Sequence, residues 1–163
     1  MASVYLEGTE VPDSRTVMEI QDLLAKKGAC AIQIEYSDGR VNSLSFQLNI
    51  EGQRIPFRLP CRWQAVEKIL KGISKKLRKG DTYGDWARRV AWRQIYRWIQ
   101  AQLALIDTNM VRAEEVFLPY AMVSSVNGTA KTMYDVIAER KFLSLPAPAP
   151  ESDTDTDPGE GQG

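Results

Sequence analysis

Apolar residues recur along the chain with two alternating periods. The first apolar series has a spacing of three or four residues, which is typical of an amphipathic helix. Thr16 and Glu19 fit a capping box that follows candidate N-caps at Asp13 and Ser14, and Gly28 supplies a stop. The pattern therefore predicts a short first helix that ends at Gly28.

Strict alternation of apolar and polar residues follows over three stretches. Turn sequences at 37–40 and 51–53 separate these stretches. Pro56 cannot donate a ladder hydrogen bond, so the third strand is expected to lie at a sheet edge or to end its pairing there. One apolar face per strand predicts a three-stranded antiparallel meander covered by helices on one face only. The alternating apolar residues are Cys30, Ile32, Ile34 and Tyr36, then Leu44, Phe46, Leu48 and Ile50, then Ile55, Phe57 and Leu59.

The helical period returns from about Gln64. Apolar residues as far as Leu77 predict an amphipathic helix that Gly72 weakens. A long helix is expected from about Asp85 to Thr108, with Asn109 as its cap. The remaining expected elements are a short helix over 113–118 that Pro119 ends, a strand over 120–126, a turn at Asn127-Gly128 and a last helix capped by Thr132.

These elements predict an α+β fold in the order α-β-β-β-α-α. Residues 1–12 are expected to form a flexible arm, and 13–143 a single α+β domain. Residues 144–163 are a Pro/Ala spacer and an acidic tail without apolar residues to bury, so they are expected to be disordered. The order helix, three strands, helix is also that of double-stranded-RNA-binding domains, but this match is topological only.

The composition argues against most enzyme chemistry. The chain has no histidine, which excludes His-based nucleophile systems and His-ligated zinc, and its two cysteines are too few for a Cys-only zinc site. Cys30 and Cys61 are expected to be buried or half-buried reduced thiols. Glycine-rich phosphate loops are also missing. We expect no catalytic residues, no metal and no cofactor.

Two weaker enzymatic interpretations remain open. Glu139 and Lys141 have the E-x-K spacing of some nucleases, but they lie at the end of a helical pattern. A substrate pocket could also gather Glu35, Asp38 or Glu114 with a lysine. No apolar run reaches the roughly 18 residues that a membrane span needs, so no membrane association is expected.

Charge is strongly asymmetric although the formal net charge is zero. Residues 62–97 contain eleven basic and three acidic residues, which leaves +8, whereas the five acidic residues after Pro150 give the tail −5. Such a split favours a polyanionic partner. The basic residues are Arg62, Lys68, Lys71, Lys75, Lys76, Arg78, Lys79, Arg88, Arg89, Arg93 and Arg97, and the acidic ones are Glu67, Asp81 and Asp85.

Aromatic residues accompany these basic residues, a combination that single-stranded nucleic-acid binders use. Arg89, Arg93 and Arg97 are spaced by four and are expected to form one stripe on the long basic helix. The alternative is a solvated helix face. The predicted contact set is Lys75, Lys76, Arg78 and Lys79 for attracting phosphates, Arg89, Arg93 and Arg97 for positioning them, and Trp86 or Trp98 for stacking on bases.

Two segments carry a family resemblance. The helical segment 91–107 continues into Ala113-Glu114-Glu115-Val116-Phe117-Leu118-Pro119-Tyr120, and Gly52-Gln53-Arg54-Ile55-Pro56-Phe57-Arg58-Leu59-Pro60 precedes it. Over about residues 15–138 the chain resembles short, uncharacterised bacteriophage and prophage proteins that share an "R-W-R-A-L" helix and a "G-R-x-x-R-F-x-L-P" strand. The resemblance implies a phage or mobile-element origin and a location in the host cytoplasm. It brings no activity, cofactor or site residue.

The sequence therefore leads to two functional hypotheses. The first is a non-enzymatic accessory protein that binds nucleic acid, with single-stranded DNA preferred. The second is a small interaction module or inhibitor that docks on a host or phage protein. In the second case the Pro56-bearing edge strand or exposed tryptophans would supply the contact. The acidic tail either competes for the basic surface or serves solubility.

Overall fold

The α+β order expected from the sequence is confirmed by a computed structural model, which describes residues 3–73, 76–123, 130–143 and 145–147. The helices are α1 (Asp13–Lys26), α2 (Trp63–Leu70), α3 (Tyr83–Asp107), α4 (Ala113–Phe117) and α5 (Met133–Glu139), and a 3-10 turn spans Leu118–Tyr120. The strands are β1 (Ala31–Ser37), β2 (Arg40–Ile50), β3 (Gln53–Arg58), β4 (Met122–Val123) and β5 (Lys131–Thr132). The expected Asn127-Gly128 turn and the acidic tail lie outside the described residues.

The first three strands form an antiparallel meander in the order β1-β2-β3. Each hairpin has a two-residue loop in which both residues have positive φ. The φ values are 51° and 72° at Asp38-Gly39, and 51° and 81° at Glu51-Gly52. This combination is the type I′ turn, whose twist matches that of paired strands. The local turn sequences therefore determine the register of the sheet.

The main core lies between one face of this sheet and the helices α1, α3 and α4. Phe46 and Phe57 stack across β2 and β3 with ring centroids 5.5 Å apart, and Phe117 of α4 meets Phe46 edge-on at 5.2 Å. Trp92 of α3 is fully buried beside them. Alternate strand residues such as Gln33 face the other side, so the expected one-sided sheet is confirmed.

Helix α1 begins earlier than its predicted capping box. Pro12 is the N-cap residue, and the Thr16 N–H donates to the Pro12 carbonyl at 3.1 Å, so Thr16 already lies inside the helix with its side chain buried. Glu19 binds Arg15 and Arg93 instead of capping. The predicted stop is confirmed, because Gly28 has φ 95° and the C-terminal hydrogen bonds form a Schellman motif.

A second, smaller core joins α2 to the first half of α3. Leu70, Trp86, Ala87 and Val90 are its buried residues. The helix expected to continue as far as Leu77 ends at Leu70, because the chain turns through Lys71 and Gly72 there. Leu77 packs against this second core from the connecting loop rather than from a helix.

The described part of the N-terminal arm contacts the second core and α3, while its expected flexibility stays a prediction. Val4 packs against the second core. The Trp86 indole N–H donates to the Glu7 carbonyl at 2.7 Å, and the Gln94 amide donates to the Tyr5 carbonyl. The low apolar periodicity of residues 1–12 does not predict these contacts, since they depend on side chains about 80 to 90 residues further along the chain.

The two cysteines are free. Cys30 is exposed, which corrects the expectation that it is buried or half-buried, whereas Cys61 is half-buried as expected. Burial raises the pKa of the Cys61 thiol to about 12. Cys61 is therefore a poor nucleophile at neutral pH.

Candidate nucleic-acid interface

Lys76, Arg78 and Lys79, called the basic loop below, connect α2 to α3 and are exposed. Arg78 forms an ion pair with Glu10 of the arm while its side chain stays 47% exposed. Lys76 and Lys79 have no ion-pair partner within the described part of the chain. Lys75, the fourth cation predicted for this segment, lies outside that part. Two ammonium groups of the basic loop, unpaired among the described residues, are thus open to an anionic ligand.

The arginine stripe is regular in position but not in exposure. Arg89 forms an ion pair with Asp81 at 2.6 Å and its side chain is 12% exposed. Arg93 pairs with Glu19 of α1 and is 16% exposed, while Arg97 is exposed. Of the three stripe residues, Arg97 is therefore the exposed one. Periodicity places the three residues on one helix face, but neighbouring elements cover two of them.

Trp86 is not available for base stacking in this structure. Its side chain is only 5% exposed and belongs to the second core, where its ring lies 6.3 Å from that of Tyr83. Its N–H is used by the Glu7 carbonyl. The sequence suggested a stacking role because Trp86 lies among basic residues, but its own helix turns it inward.

Trp98 is also packed rather than free. Its ring meets Phe117 edge-on at 5.8 Å and Tyr120 edge-on at 5.4 Å. The ring is half-buried against the main core. Trp98 was expected to stack on bases, and the segment 117–120 packs against its ring instead. Trp86 is thus buried and Trp98 is half-buried among other aromatic rings.

Tyr96 is the aromatic residue that lies among the arginines. The Arg93 guanidinium lies 4.4 Å from the centroid of its ring and the Arg97 guanidinium 5.9 Å. The Gln100 amide donates to the Tyr96 hydroxyl at 2.9 Å. The spacing of these residues on one helix could have revealed this cluster. Tyr96 was not among the predicted contact residues.

A capping network fixes the start of α3 beside the basic loop. The Thr82 hydroxyl and backbone N–H donate to Asp85, and together with Arg40 they hold the pKa of Asp85 down at about 2. Arg40 also reaches Asp13 of α1 at 3.0 Å. Hydrogen bonds to both carboxylates outweigh the burial of Arg40 and raise its pKa. The network ties the loop end to both α1 and β2.

A second pair joins α2 to α3. The Arg88 guanidinium lies 4.1 Å from the centroid of the Trp63 ring. The two residues are 25 positions apart, so no local spacing announces the contact. The pair is a cation–π contact that holds α2 against the helix it follows.

The carboxylates of the enzymatic interpretation fall in different places. Glu114 and Lys27 line one cavity of about 440 Å³ with an apolar floor, but Lys27 pairs with Asp107 and Glu114 pairs with Arg112 at 2.8 Å. Glu35 lies on the other face of the sheet and accepts from Ser43. Glu139 pairs with Lys131 at the end of α5. Asp38 accepts from the Ser37 hydroxyl at 3.5 Å, so each of these charges is already engaged in an ion pair or hydrogen bond.

Comparison of the chain with protein-family models, curated proteins and solved structures finds no match. None of the described helices combines the length and apolar character needed to cross a membrane. Among the described residues, no group of three or more acidic or cysteine side chains could hold a metal ion. The interpretation of the surface therefore rests on its own geometry.

Proposed function

We propose that this chain is a non-enzymatic nucleic-acid-binding accessory protein that prefers single strands. The observation that supports the proposal best is the basic loop, in which Lys76 and Lys79 are exposed and lack a carboxylate partner among the described residues. Ammonium groups without a counter-charge attract phosphates and release the counterions of the strand. The resemblance noted above supports an origin in a phage or mobile element.

A second contact lies further along the same helix. Arg97 is exposed and flanks the ring of Tyr96, which gives a cation beside an aromatic ring. Fourteen residues of α3 separate Tyr83 from Arg97, which corresponds to about 21 Å at the helical rise. At 3.4 Å per phosphate, the spacing along one strand of B-DNA, that length corresponds to about six phosphates of a strand that keeps its bases stacked. A bound strand would run along α3, with phosphates at the loop and a base near Tyr96.

The acidic tail adds a regulatory expectation. Its five carboxylates balance the charge of the rest of the chain, which carries +5 since the whole chain is neutral. A tethered polyanion competes with nucleic acid for the same cations. We expect a chain that ends at Leu145 to bind more tightly than the full chain.

The test is fluorescence anisotropy of labelled oligothymidylates, duplex DNA and RNA with the full chain over a salt series. We expect sub-micromolar binding of single strands that weakens steadily as salt rises. Strands shorter than about six nucleotides should bind several-fold more weakly, because they cannot reach both contacts. Single-strand binding no tighter than about 10⁻⁴ M at physiological salt would overturn the proposal.

The second candidate function is a protein-interaction module, and one observation favours it. The edge of β1 is open among the described strands, and Tyr36 and Met18 beside it are 66% and 63% exposed. The Pro56-bearing edge of β3, which the sequence suggested, is partly covered because Phe57 bridges Ala121. A photo-crosslinker at Met18 should then capture a protein partner in host cells, while one at the equally exposed Met110 should not.

A further inference from the structure

The open edge of β1 presents hydrogen-bonding groups to solvent. The Leu59 N–H donates to the Leu44 carbonyl at 2.9 Å, so Leu44 and alternate residues of β2 bond to the third strand. The residues between them, such as Ser45, bond to β1 through partners such as Gln33. The backbone groups of Ile32 and Ile34 therefore point outward.

Within residues 31–35, before the bulge, this edge has few of the features that usually block pairing. The regular part of β1 contains neither lysine nor proline, which natural edges use against association. Its one charged residue, Glu35, is held on the polar face by Arg58 at 3.4 Å and by Ser43. The bulge between Glu35 and Tyr36 sets the limit of the edge. Five regular residues are left for another strand.

An apolar groove follows the same edge. Met18, Ile34 and Tyr36 line a cavity of about 320 Å³ between α1 and β1. Met18 and Tyr36 are 63% and 66% exposed, which is unusual for large apolar side chains lying side by side. A strand that pairs with β1 would cover both of them.

The face of α1 beside this edge is flanked by charges that would complement those beside the same face on a second copy. Its residues Ser14, Met18, Gln21 and Ala25 carry no charge. Arg15 and Asp22, both exposed, flank Met18 on either side. If two copies of α1 run antiparallel about Met18, Arg15 of one copy lies close to Asp22 of the partner subunit. Opposite charges thus meet in both halves of such a pair.

We propose that a second copy of this chain docks along β1, so that the two sheets join into one of six strands. An antiparallel register about Gln33 sets Ile32 opposite Ile34 of the partner subunit, and four backbone hydrogen bonds form. The same register sets Glu35 opposite Ala31 of the partner subunit, which keeps the two glutamates apart. Isologous contacts of this kind close as dimers.

Sedimentation velocity of the full chain from about 1 μM to about 100 μM tests the dimer. The matched variants are Met18→Lys, at the proposed two-fold axis, and Met110→Lys, whose methionine is 65% exposed beyond α3. Met18→Lys brings two ammonium groups together, so it should weaken dimerisation by about tenfold or more. Met110→Lys should leave dimerisation within about twofold of wild type.

Amide hydrogen exchange gives a second readout that needs no substitution. In the dimer the amides of Ile32 and Ile34 are hydrogen-bonded, so their exchange should slow as concentration rises. A chain that is monomeric throughout this range overturns the proposal. The proposal is also overturned if the chain dimerises, Met18→Lys leaves that dimer intact, and the amides of Ile32 and Ile34 exchange freely in it. A monomer whose β1 amides are protected only by an added protein would assign the edge to a different partner.

Discussion

The basic loop and the arginine stripe are alike in sequence and different in the fold. Both are runs of cations near the start of α3, yet Lys76 and Lys79 are exposed without a carboxylate partner among the described residues, while Arg89 and Arg93 are covered and paired. The carboxylates that pair with stripe residues come from α1 and from the residues before α3. A count of charges along a sequence therefore gives the net charge of a segment. The ion pairs formed in the folded chain decide which of its cations a ligand can reach.

The largest expected effect on stability comes from Arg40, which forms ion pairs with two carboxylates, those of Asp13 and Asp85. Arg40→Met leaves Asp13, whose side chain is 12% exposed, without its counter-charge. We expect a loss of about 2–3 kcal/mol in the free energy of unfolding, because a covered charge has lost its partner. Urea unfolding followed by circular dichroism measures it. Arg54→Met, at an exposed arginine, should stay within about 0.5 kcal/mol of wild type; equal losses would contradict the distinction.

The pH dependence of the free energy of unfolding tests the same network of Thr82, Asp85 and Arg40. The Asp85 pKa is about 2 in the folded chain, held below its ordinary value by Thr82 and Arg40. A depressed folded pKa contributes stability above about pH 4 that is lost as the pH falls toward 2. Since the other carboxylates titrate alike in both chains, wild type should lose on the order of 2 kcal/mol more than Asp85→Asn over this range. Urea unfolding between pH 5 and pH 2.5 compares them, and parallel curves would contradict the assignment.

Within the stripe, two arginines one turn apart should behave differently. Arg93→Met breaks the pair with Glu19 and the contact with the Tyr96 ring, so we expect a loss of about 1–2 kcal/mol. Arg97→Met removes an exposed charge and should cost less than about 0.5 kcal/mol. The same urea titration measures both variants. A larger loss for Arg97→Met than for Arg93→Met would show that the pairing is not what distinguishes them.

Much of the fold could be predicted because its signals are local. Asp38-Gly39 and Glu51-Gly52 determine the two hairpins within four residues each. Gly28 and Asn109 end helices through their own positive φ, and Thr132 caps α5 through Asp135 three residues later. These features depend on neighbours in sequence, so the sequence pattern is sufficient to find them.

The site was less predictable because its environment is assembled from distant segments. The helical spacing of Arg89, Arg93 and Arg97 was right, but Glu19 reaches Arg93 across 74 positions. Trp86 is covered by an arm whose contact residue Glu7 is 79 positions away. Periodicity gives the direction of a side chain from its helix and carries no information on which element docks there. Lys76, Arg78, Lys79 and Arg97 remain the predicted contacts that the fold leaves exposed.

The most direct test changes only the exposed cations and measures both binding and stability. Lys76→Gln with Lys79→Gln should weaken single-strand binding by about tenfold and lower the salt slope by about 1.4, which is two phosphate contacts, with the unfolding midpoint unchanged. The control, Lys26→Gln with Lys141→Gln, removes the same charge from two other exposed lysines and should keep the wild-type slope. If both double variants lower affinity and slope equally, binding follows overall charge and the basic loop is not the site.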